Sequence, residues 1–281
     1  MTDQRLTEGA RSDVRAPDGT RLAVYEWGKP TGPEVVLMHG FAQCHLCFEP
    51  QIRALAGHCR VVAFDFRGHG ASEQPADPAA YQGHRVWADD LVTVMAAKGL
   101  KRPVLVAWSM GGRVIRQYLI NHGDAGIAGV NFVASLVIEE PRFRGPGAPK
   151  TLPERMTLAE EIDAAIAFLD GCFTKKPSEA AFRRALGYNM RVPATVRRAI
   201  AGWSTAAPLA IDALRRVTVP VLITHGRQDT VVLPAAAEMT ASTIAHARLS
   251  WFDDCGHSPF VEDAGRFNDE LAAFVAASRQ P

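Results

Sequence analysis

Short apolar runs rich in β-branched residues recur along the chain, separated by segments with helical spacing, and this alternation limits the possible folds more than any other feature. It is typical of parallel strands joined by crossover helices. The runs show little polar alternation, so we expect a sheet covered on both faces. They lie at residues 35–38, 61–64, 104–107, 130–133, 219–224 and 248–252. The sequence therefore predicts an α/β fold with a mostly parallel sheet.

Two further segments complete this outline. Residues 21–27 follow an Asp18-Gly19 turn and predict an earlier hairpin strand. Between residues 139 and 216 the strand-like runs stop and apolar residues fall at helical spacing, after an entry loop rich in Pro and Gly. We therefore expect a core domain made of residues 1–138 and 217–281, interrupted by a helical cap at residues 139–216.

The charge balance and the cysteines bear on partners and location. With 31 Lys and Arg against 30 Asp and Glu, the formal net charge is +1, so no overall field attracts nucleic acid or an anionic membrane. A neutral or weakly charged small molecule is the expected substrate class. The charged N-terminus does not resemble a secretory signal, and no apolar run is long enough to span a membrane. Five scattered cysteines predict free thiols and a cytoplasmic location; the sequence leaves the oligomeric state open.

Ser109 is the candidate nucleophile. It stands between an apolar strand and a helical run, in the pattern Ala107-Trp108-Ser109-Met110-Gly111. A serine on a sharp strand-to-helix turn needs small neighbours, because the backbone is strained and the hydroxyl must project clear of the chain. The alternative is a serine that merely caps a helix. Trp108, beside the nucleophile, is a candidate substrate contact.

A candidate acid and a candidate base follow later strands. Asp229 comes after the predicted strand at residues 219–224, and His257 comes after the one that ends at Phe252. Loops at the carboxyl ends of parallel strands meet at one edge of a sheet. A serine hydroxyl must lose its proton as it attacks a carbonyl; a neutral imidazole can take that proton, and a carboxylate can orient the ring. The chain order Ser, Asp, His is the one expected of an α/β hydrolase.

Two backbone amides are expected to bind the oxyanion that forms during such an attack. One belongs to Met110, directly after the nucleophile. The other should come from the loop after the strand at residues 35–38, where the amide of Phe41 is the candidate. His39 precedes this loop. We expect it to be structural, although a contact with substrate stays open.

Motifs along most of the chain resemble signatures of the α/β-hydrolase superfamily, in particular its esterase, lactonase and cofactor-free haloperoxidase branch. These motifs are His39-Gly40-Phe41, Asp65 to Ser72, Trp108 to Gly112, Gly226 to Asp229 and Gly256-His257. The resemblance implies an eight-stranded, mostly parallel sheet with a helical cap and a Ser-Asp-His triad. Ala107 stands where the family usually has Gly, which bears on the shape of the pocket rather than on the mechanism.

The function implied is hydrolysis of a small carboxylic ester or lactone through an acyl-enzyme on Ser109. Two alternatives stay open: a cofactor-free perhydrolase, haloperoxidase or dioxygenase on the same fold, and a ligand receptor with weak residual hydrolysis. No metal or organic cofactor is implied. The segment Cys44-His45-Leu46-Cys47 resembles part of a zinc site, but no second pair of ligands stands at the required spacing. In the Arg67-Gly68-His69-Gly70 turn, Asp65 and Arg67 are expected to pair locally.

Overall fold

A single eight-stranded sheet forms the centre of the molecule in the computed structural model, which describes residues 9–150 and 152–278. The strands lie in the order β1-β2-β4-β3-β5-β6-β7-β8. The first two pairings, β1 with β2 and β2 with β4, are antiparallel, and the remaining pairings are parallel. The strands are β1 Ala10–Arg15, β2 Arg21–Gly28, β3 Glu34–Met38, β4 Arg60–Phe64, β5 Val104–Trp108, β6 Gly129–Val133, β7 Val221–Gly226 and β8 Arg248–Phe252. The predicted α/β fold with a mostly parallel sheet is confirmed.

The central strands are buried on both faces, as their unbroken apolar runs predict. Every residue of β5, β6 and β7 is buried. The predicted run at residues 219–224 begins too early, because β7 starts at Val221, after Pro220, which has no amide hydrogen to donate to a neighbouring strand. Strand β1 was not predicted, because Val14 is its one buried residue and the rest of the strand is polar, small or charged.

Helices cover both faces of the sheet. The apolar side chains of α2, α3, α7 and α8 pack on one face, and those of α1, α9 and α10 pack on the other. The helices are α1 Glu49–Leu55, α2 Val86–Ala97, α3 Met110–His122, α4 Leu158–Gly171, α5 Glu179–Met190, α6 Ala194–Ala201, α7 Ala207–Arg215, α8 Pro234–Thr243, α9 Pro259–Glu262 and α10 Ala264–Ala277. Alternate residues of β3 enter opposite faces, with Val36 on the first and Leu37 on the second.

Four helices, α4 to α7, occupy the segment between β6 and β7. Helix α4 begins at a capping box, in which Thr157 accepts from the Glu160 amide and the Glu160 carboxylate accepts from the Thr157 amide. Helix α7 packs against α3, and its buried side chains join the layer that covers the sheet. The division into a core and a cap at residues 139–216 stays a prediction.

The turn after β4 corrects one expectation. Asp65 and Arg67 do not pair with each other. Arg67 donates to both carboxylate oxygens of Asp90 at 2.6 and 2.7 Å and to Asp18 at 2.7 Å, whereas Asp65 accepts from the ring of His45 at 2.8 Å. The predicted pairing was wrong because α2 places both carboxylate oxygens of Asp90 opposite the guanidinium of Arg67. This bidentate contact fits a guanidinium better than a contact with Asp65, two residues away along the chain, would.

The helices, the N-terminal segment and the cysteines do not test the predicted cytoplasmic location. None of the helices in residues 9–150 and 152–278 is long and apolar enough to cross a membrane. The first eight residues of the segment in which we expected no secretory signal lie outside the described part. Cys44, Cys47, Cys172 and Cys255 are free thiols. The cytoplasmic location stays a prediction from the cysteine pattern.

Candidate active site

Ser109 occupies a strained turn between β5 and α3. Its φ of 52° and ψ of −112° lie in a region that residues with a side chain rarely adopt. The Ser109 amide donates to Val133 O at 2.9 Å, which holds the turn to β6. The turn also needs glycine after it, because a Cβ added at Gly111 would lie 2.7 Å from Met38 O on β3. The sequence therefore places a hydroxyl at the carboxyl edge of the sheet and at the first turn of a helix.

The structure brings Ser109, His257 and Asp229 into one line of contacts. His257 Nε2 lies 2.9 Å from Ser109 Oγ, and His257 Nδ1 lies 2.8 Å from Asp229 Oδ2. Because the carboxylate can only accept, Nδ1 carries a proton and Nε2 is left to accept from the serine hydroxyl. His257 is fully buried and Asp229 is 2% exposed, so protein atoms rather than water fix this alignment.

The carboxylate of Asp229 is bound on both oxygens. Oδ1 accepts from the amides of Val231 at 2.8 Å and Val232 at 2.9 Å. Oδ2 lies 2.8 Å from His257 Nδ1 and 3.2 Å from His225 Nε2. Burial alone would raise the pKa of Asp229, but the electrostatic effect of His257 and the hydrogen bonds from His225 and His257 hold that pKa well below its usual range. Asp229 is therefore ionised throughout the neutral range.

His225 is a part of this site that the sequence reasoning missed. It is the fifth residue of β7 and is fully buried. Its Nε2 lies 2.9 Å from Val232 O, which can only accept, so Nε2 carries the proton that also points at Asp229. The sequence shows a histidine four residues before the candidate acid. It does not show the turn after β7 that brings the ring of His225 to the carboxylate of Asp229.

Trp108 binds the backbone of His257. Its Nε1 donates to His257 O at 2.8 Å, and its ring packs against Phe260 with centroids 4.9 Å apart. Trp108 also lines a cavity of about 140 Å³ together with Leu169, Phe173 and Ser258. The predicted contact of Trp108 with substrate therefore has a cavity in which it could occur, and it stays a proposal.

The two candidate oxyanion amides lie close to the serine. Phe41 and Met110 line the same cavity as Ser109. Met110 is the first residue of α3, so its amide has no carbonyl one turn earlier to bind. The amide of Phe41 makes no hydrogen bond to a described residue. Both donors are thus free for an oxygen atom that develops negative charge.

His39 does not reach this cavity. It is fully buried; its Nδ1 donates to Gly40 O at 2.8 Å, and its Nε2 accepts from the Phe66 amide at 3.0 Å. Burial and the neighbouring His69 lower the pKa of His39 to about 3, so the ring is neutral. With both nitrogens committed, His39 offers nothing to a substrate. Its geometry corrects the suggestion of a substrate contact and favours the structural role, which is to tie the oxyanion loop to the loop after β4.

The cavity at Ser109 is small, and a larger cavity lies beside it. The volume of the cavity at Ser109 is about 90 Å³, and Leu136, Ile200 and Val231 give it an apolar wall. A second cavity of about 290 Å³ lies beside it and is lined by residues of α4 and α6. The two share Phe41, Ala148, Pro149 and Ala201 as lining residues. A substrate could therefore extend from the serine into the region between the predicted cap and the core.

One group of potential metal ligands lies apart from the serine. Donor atoms of Cys44, His45 and Asp65 fall within 4.8 Å of one another. Asp65 Oδ1 already accepts from the amide and the ring of His45, and Oδ2 accepts from the Ala71 amide at 2.8 Å. Burial raises the pKa of Cys44 to about 12, which disfavours the thiolate that a metal would need. These contacts fit a hydrogen-bonded support for the turn better than a metal site.

Comparisons with known proteins agree with this architecture. The family model described as alpha/beta hydrolase fold matches residues 33–264. A candidate aryl esterase from Burkholderia cenocepacia is 33% identical, with a TM-score of 0.89 over 95% of this chain and 98% of that one. An esterase from a Rhodococcus species, strain ECU1013, is 31% identical, with a TM-score of 0.87 over the same shares. A non-heme chloroperoxidase from Streptomyces lividans is 28% identical over 93% of this chain and 98% of its own.

Proposed function

The chain belongs to the α/β-hydrolase family, and from this premise we propose that it is a serine hydrolase that cleaves a carboxylic ester or lactone of a small molecule. The observation that carries the proposal is the continuous line of contacts from Ser109 Oγ through His257 to Asp229, at 2.9 and 2.8 Å. The esterases among the structural relatives support the choice of an ester.

The first half of the reaction forms an acyl-enzyme. Ser109 Oγ attacks the ester carbonyl carbon while His257 Nε2 takes the hydroxyl proton. The carbonyl oxygen becomes an oxyanion, which the amides of Phe41 and Met110 bind. Asp229 stabilises the positive charge that forms on the imidazole. As the intermediate collapses, His257 returns the proton to the departing alcohol, and the acyl group stays on Ser109.

The second half repeats these steps with water. His257 Nε2 removes a proton from a water molecule, whose oxygen attacks the acyl carbon. The carboxylic acid leaves as Ser109 Oγ recovers its proton from His257. The route uses only side chains and amides of this chain together with water.

The experiment is hydrolysis of p-nitrophenyl esters of increasing chain length by the wild type, Ser109→Ala and His257→Ala. We expect the wild type to turn over short or medium esters and each variant to lose at least about a thousandfold in kcat/KM, as is usual when a triad member is removed. A loss below about tenfold in Ser109→Ala would contradict the proposal, because binding and oxyanion stabilisation alone do not account for near-complete activity. The chain-length profile also measures the usable length of the cavities.

A second candidate is perhydrolysis, which the similarity to the Streptomyces lividans chloroperoxidase favours. Hydrogen peroxide would then replace water in the second half, so that attack on the acetyl-enzyme gives peracetic acid, and the peracid would oxidise halide. The test is bromination of monochlorodimedone in acetate buffer with hydrogen peroxide and bromide. Bromination that needs both acetate and Ser109 supports this candidate, whereas ester hydrolysis without such bromination rejects it.

A further inference from the structure

Basic residues supply all the charge on the walls of two adjacent cavities, the one at Ser109 and the larger one beside it. Among the described residues, no Asp or Glu lines either cavity. The basic lining residues are Arg113, Arg144, Lys150, Arg197 and Arg198. The cavity that Trp108 lines differs, because its lining includes one acidic residue, Glu49, as well as the basic Arg184. The excess of basic residues is thus a property of the cavity at Ser109 and of the larger cavity beside it.

Arg113 is one of the two cations that line the cavity at Ser109. It lies on α3 one turn after Ser109 and is only 8% exposed. Its Nε donates to Glu139 Oε1 at 2.7 Å, but Arg116 Nη1 donates to the same oxygen at 2.7 Å. Two buried guanidinium groups therefore share one carboxylate. Burial lowers the pKa of Arg113 to about 10 against the effect of Glu139, and it stays protonated at neutral pH.

Arg144 adds a cation that no described carboxylate balances. Hydrogen bonds hold its loop against the segment after Asp229: the Gly145 amide donates to Val231 O at 3.0 Å, and the Gly147 amide donates to Thr230 O at 2.8 Å. Arg144 itself forms a β-bridge with Val232. Arg144 is exposed and its side chain makes no ion pair among residues 9–150 and 152–278, and it lines the cavity at Ser109. The hydrogen-bonded backbone of this loop thus places the unpaired charge of Arg144 at the cavity.

The larger cavity continues the same pattern. Arg197 is 4% exposed and pairs with Glu161 at 2.9 Å, whereas Arg198 donates only to Pro153 O, at 3.1 Å. Lys150 is exposed and has no ion-pair partner in the described part of the chain. Within residues 9–150 and 152–278, only Arg113 and Arg197 of the five cations have a carboxylate partner. The excess charge is larger than the two carboxylates can neutralise.

We infer that the substrate of this site carries an anionic group, such as a carboxylate, on the part that occupies the cavities between Ser109 and helix α6. This inference rests on the proposed esterase function and adds the charge class of its substrate. An anion there would relieve the repulsion among the guanidinium groups and gain charge-assisted hydrogen bonds from Arg113 or Arg144. The net charge of +1 led us to expect a neutral or weakly charged substrate. The local charge of the cavities narrows that expectation to a substrate with an anionic group.

The anion could belong to the acyl group or to the alcohol, and two ester pairs distinguish these sources. For the acyl side, p-nitrophenyl hydrogen adipate is compared with p-nitrophenyl heptanoate. For the alcohol side, p-acetoxybenzoate is compared with its methyl ester. We measure kcat/KM for all four with the wild type, and we measure their dissociation constants by calorimetry with Ser109→Ala, which does not turn them over. We expect the anionic member of one pair to be favoured by about tenfold or more, with the preference falling as salt is added.

The variants identify the cations responsible. The double variant Arg144→Gln/Lys150→Gln should bring the ratio of anionic to neutral ester to within about threefold of unity, because it removes two of the three charges that have no carboxylate partner. Arg113→Gln is a second variant, made with circular dichroism as a folding check, since it also breaks the contact with Glu139. The matched control is Lys101→Gln. Lys101 is exposed and lies just before β5, at the opposite end of that strand from Ser109, and its loss should leave the ratio unchanged.

The outcomes separate this inference from the proposed function. Ser109-dependent cleavage without an anionic preference in either pair, and with equal dissociation constants, would overturn the inference and leave the esterase intact. Tighter binding of an anionic ester that needs Arg144 or Arg113, without turnover of any ester, would support the inference and reject the esterase. If no ester is either cleaved or bound, both fail. An equal loss of preference in Lys101→Gln would show a general charge effect and overturn the inference.

Discussion

His225 Nε2 lies 3.2 Å from Asp229 Oδ2, the same carboxylate oxygen that contacts the ring of His257 at 2.8 Å. Two histidines therefore act on one oxygen atom, one from β7 and one from the loop after β8. Because His225 is fully buried and lines none of the cavities near Ser109, it acts on the reaction through its contacts with Asp229 and Val232 O and not by touching substrate. It is a positioning residue in the proposed mechanism.

His225→Leu tests that role. Loss of the donor to Asp229 should lower kcat by roughly tenfold or more, the effect of a lost hydrogen bond to a charged group. KM should change less than kcat, because the His225 side chain itself lines no cavity and reaches the cavity wall only through Val232 O. His225→Asn, which can still donate, should recover part of kcat. A parallel rise in KM, or an equal loss in both variants, would indicate a merely structural contribution.

The close packing around Gly111 predicts that alanine substitutions at Gly111 and at Gly187 have opposite effects on stability. Gly111→Ala would set a Cβ 2.7 Å from Met38 O, so β3 and α3 must separate. We expect it to destabilise the protein by about 1 to 3 kcal/mol and to reduce activity by displacing Ser109. Gly187→Ala is the control: nothing lies within 4 Å of its added Cβ, and it sits inside helix α5. It should stabilise by about 0.5 to 1 kcal/mol. Urea unfolding of both variants checks the pair; equal effects would contradict the packing at the turn.

Trp108→Phe isolates the hydrogen bond to the backbone of His257. The phenyl ring keeps much of the packing against Phe260 but leaves the buried carbonyl of His257 without its donor. The control is Trp27→Phe, because Trp27 is also buried and its Nε1 has no partner in the described residues. Trp108→Phe should be the more destabilising by about 1 to 3 kcal/mol and should lower kcat. Thermal unfolding in which the two variants are equivalent would reject a structural role for this bond.

Buried histidines predict that the protein loses stability in mild acid. Burial lowers the pKa of His39 to about 3 and that of His69 to about 4, from an ordinary value of 6.5. Below pH 6.5 these two histidines therefore become protonated in the unfolded chain but stay neutral in the folded protein. The free energy of unfolding falls as the pH falls. Burial also raises the pKa of Asp90 to about 6, which acts in the opposite direction below that pH and offsets one proton.

The net expectation is an uptake of about one proton on unfolding between pH 6 and pH 5, equivalent to about 1.4 kcal/mol per pH unit. Urea unfolding at intervals through this range measures it. A free energy of unfolding that stays flat or increases towards pH 5 would show that the two rings become protonated in the folded protein.

The parts of the fold that follow from local patterns were predictable. The runs of β-branched residues located β3 to β8 to within about two residues, because strands buried on both faces must be apolar throughout. Strand β1 was missed because only Val14 is buried, so it has almost no hydrophobic signal. Asp65 and Arg67 were paired wrongly because their real partners, His45 and Asp90, come from other elements.

The site divides in the same way. Ser109, Asp229 and His257 could be proposed from their positions after strands, since the carboxyl ends of parallel strands meet at one edge. The charge of the cavities could not be predicted from the sequence, because Arg113, Arg144 and Arg198 come from separate elements. These elements are α3, an extended loop and α6. The three arginines line the two adjacent cavities only once the helices between β6 and β7 have packed. A net charge averages over such clusters and hides them.

Covalent labelling of the nucleophile tests the central claim most directly. The wild type and Ser109→Ala would be treated with a fluorophosphonate and analysed by intact mass spectrometry and peptide mapping, with ester hydrolysis followed in the same samples. The account predicts one phosphonyl group per chain, attached to Ser109, with hydrolysis lost in proportion to labelling and no adduct on Ser109→Ala. Hydrolysis that persists after complete labelling, or an adduct on another residue that abolishes activity while Ser109 stays unmodified, would contradict it.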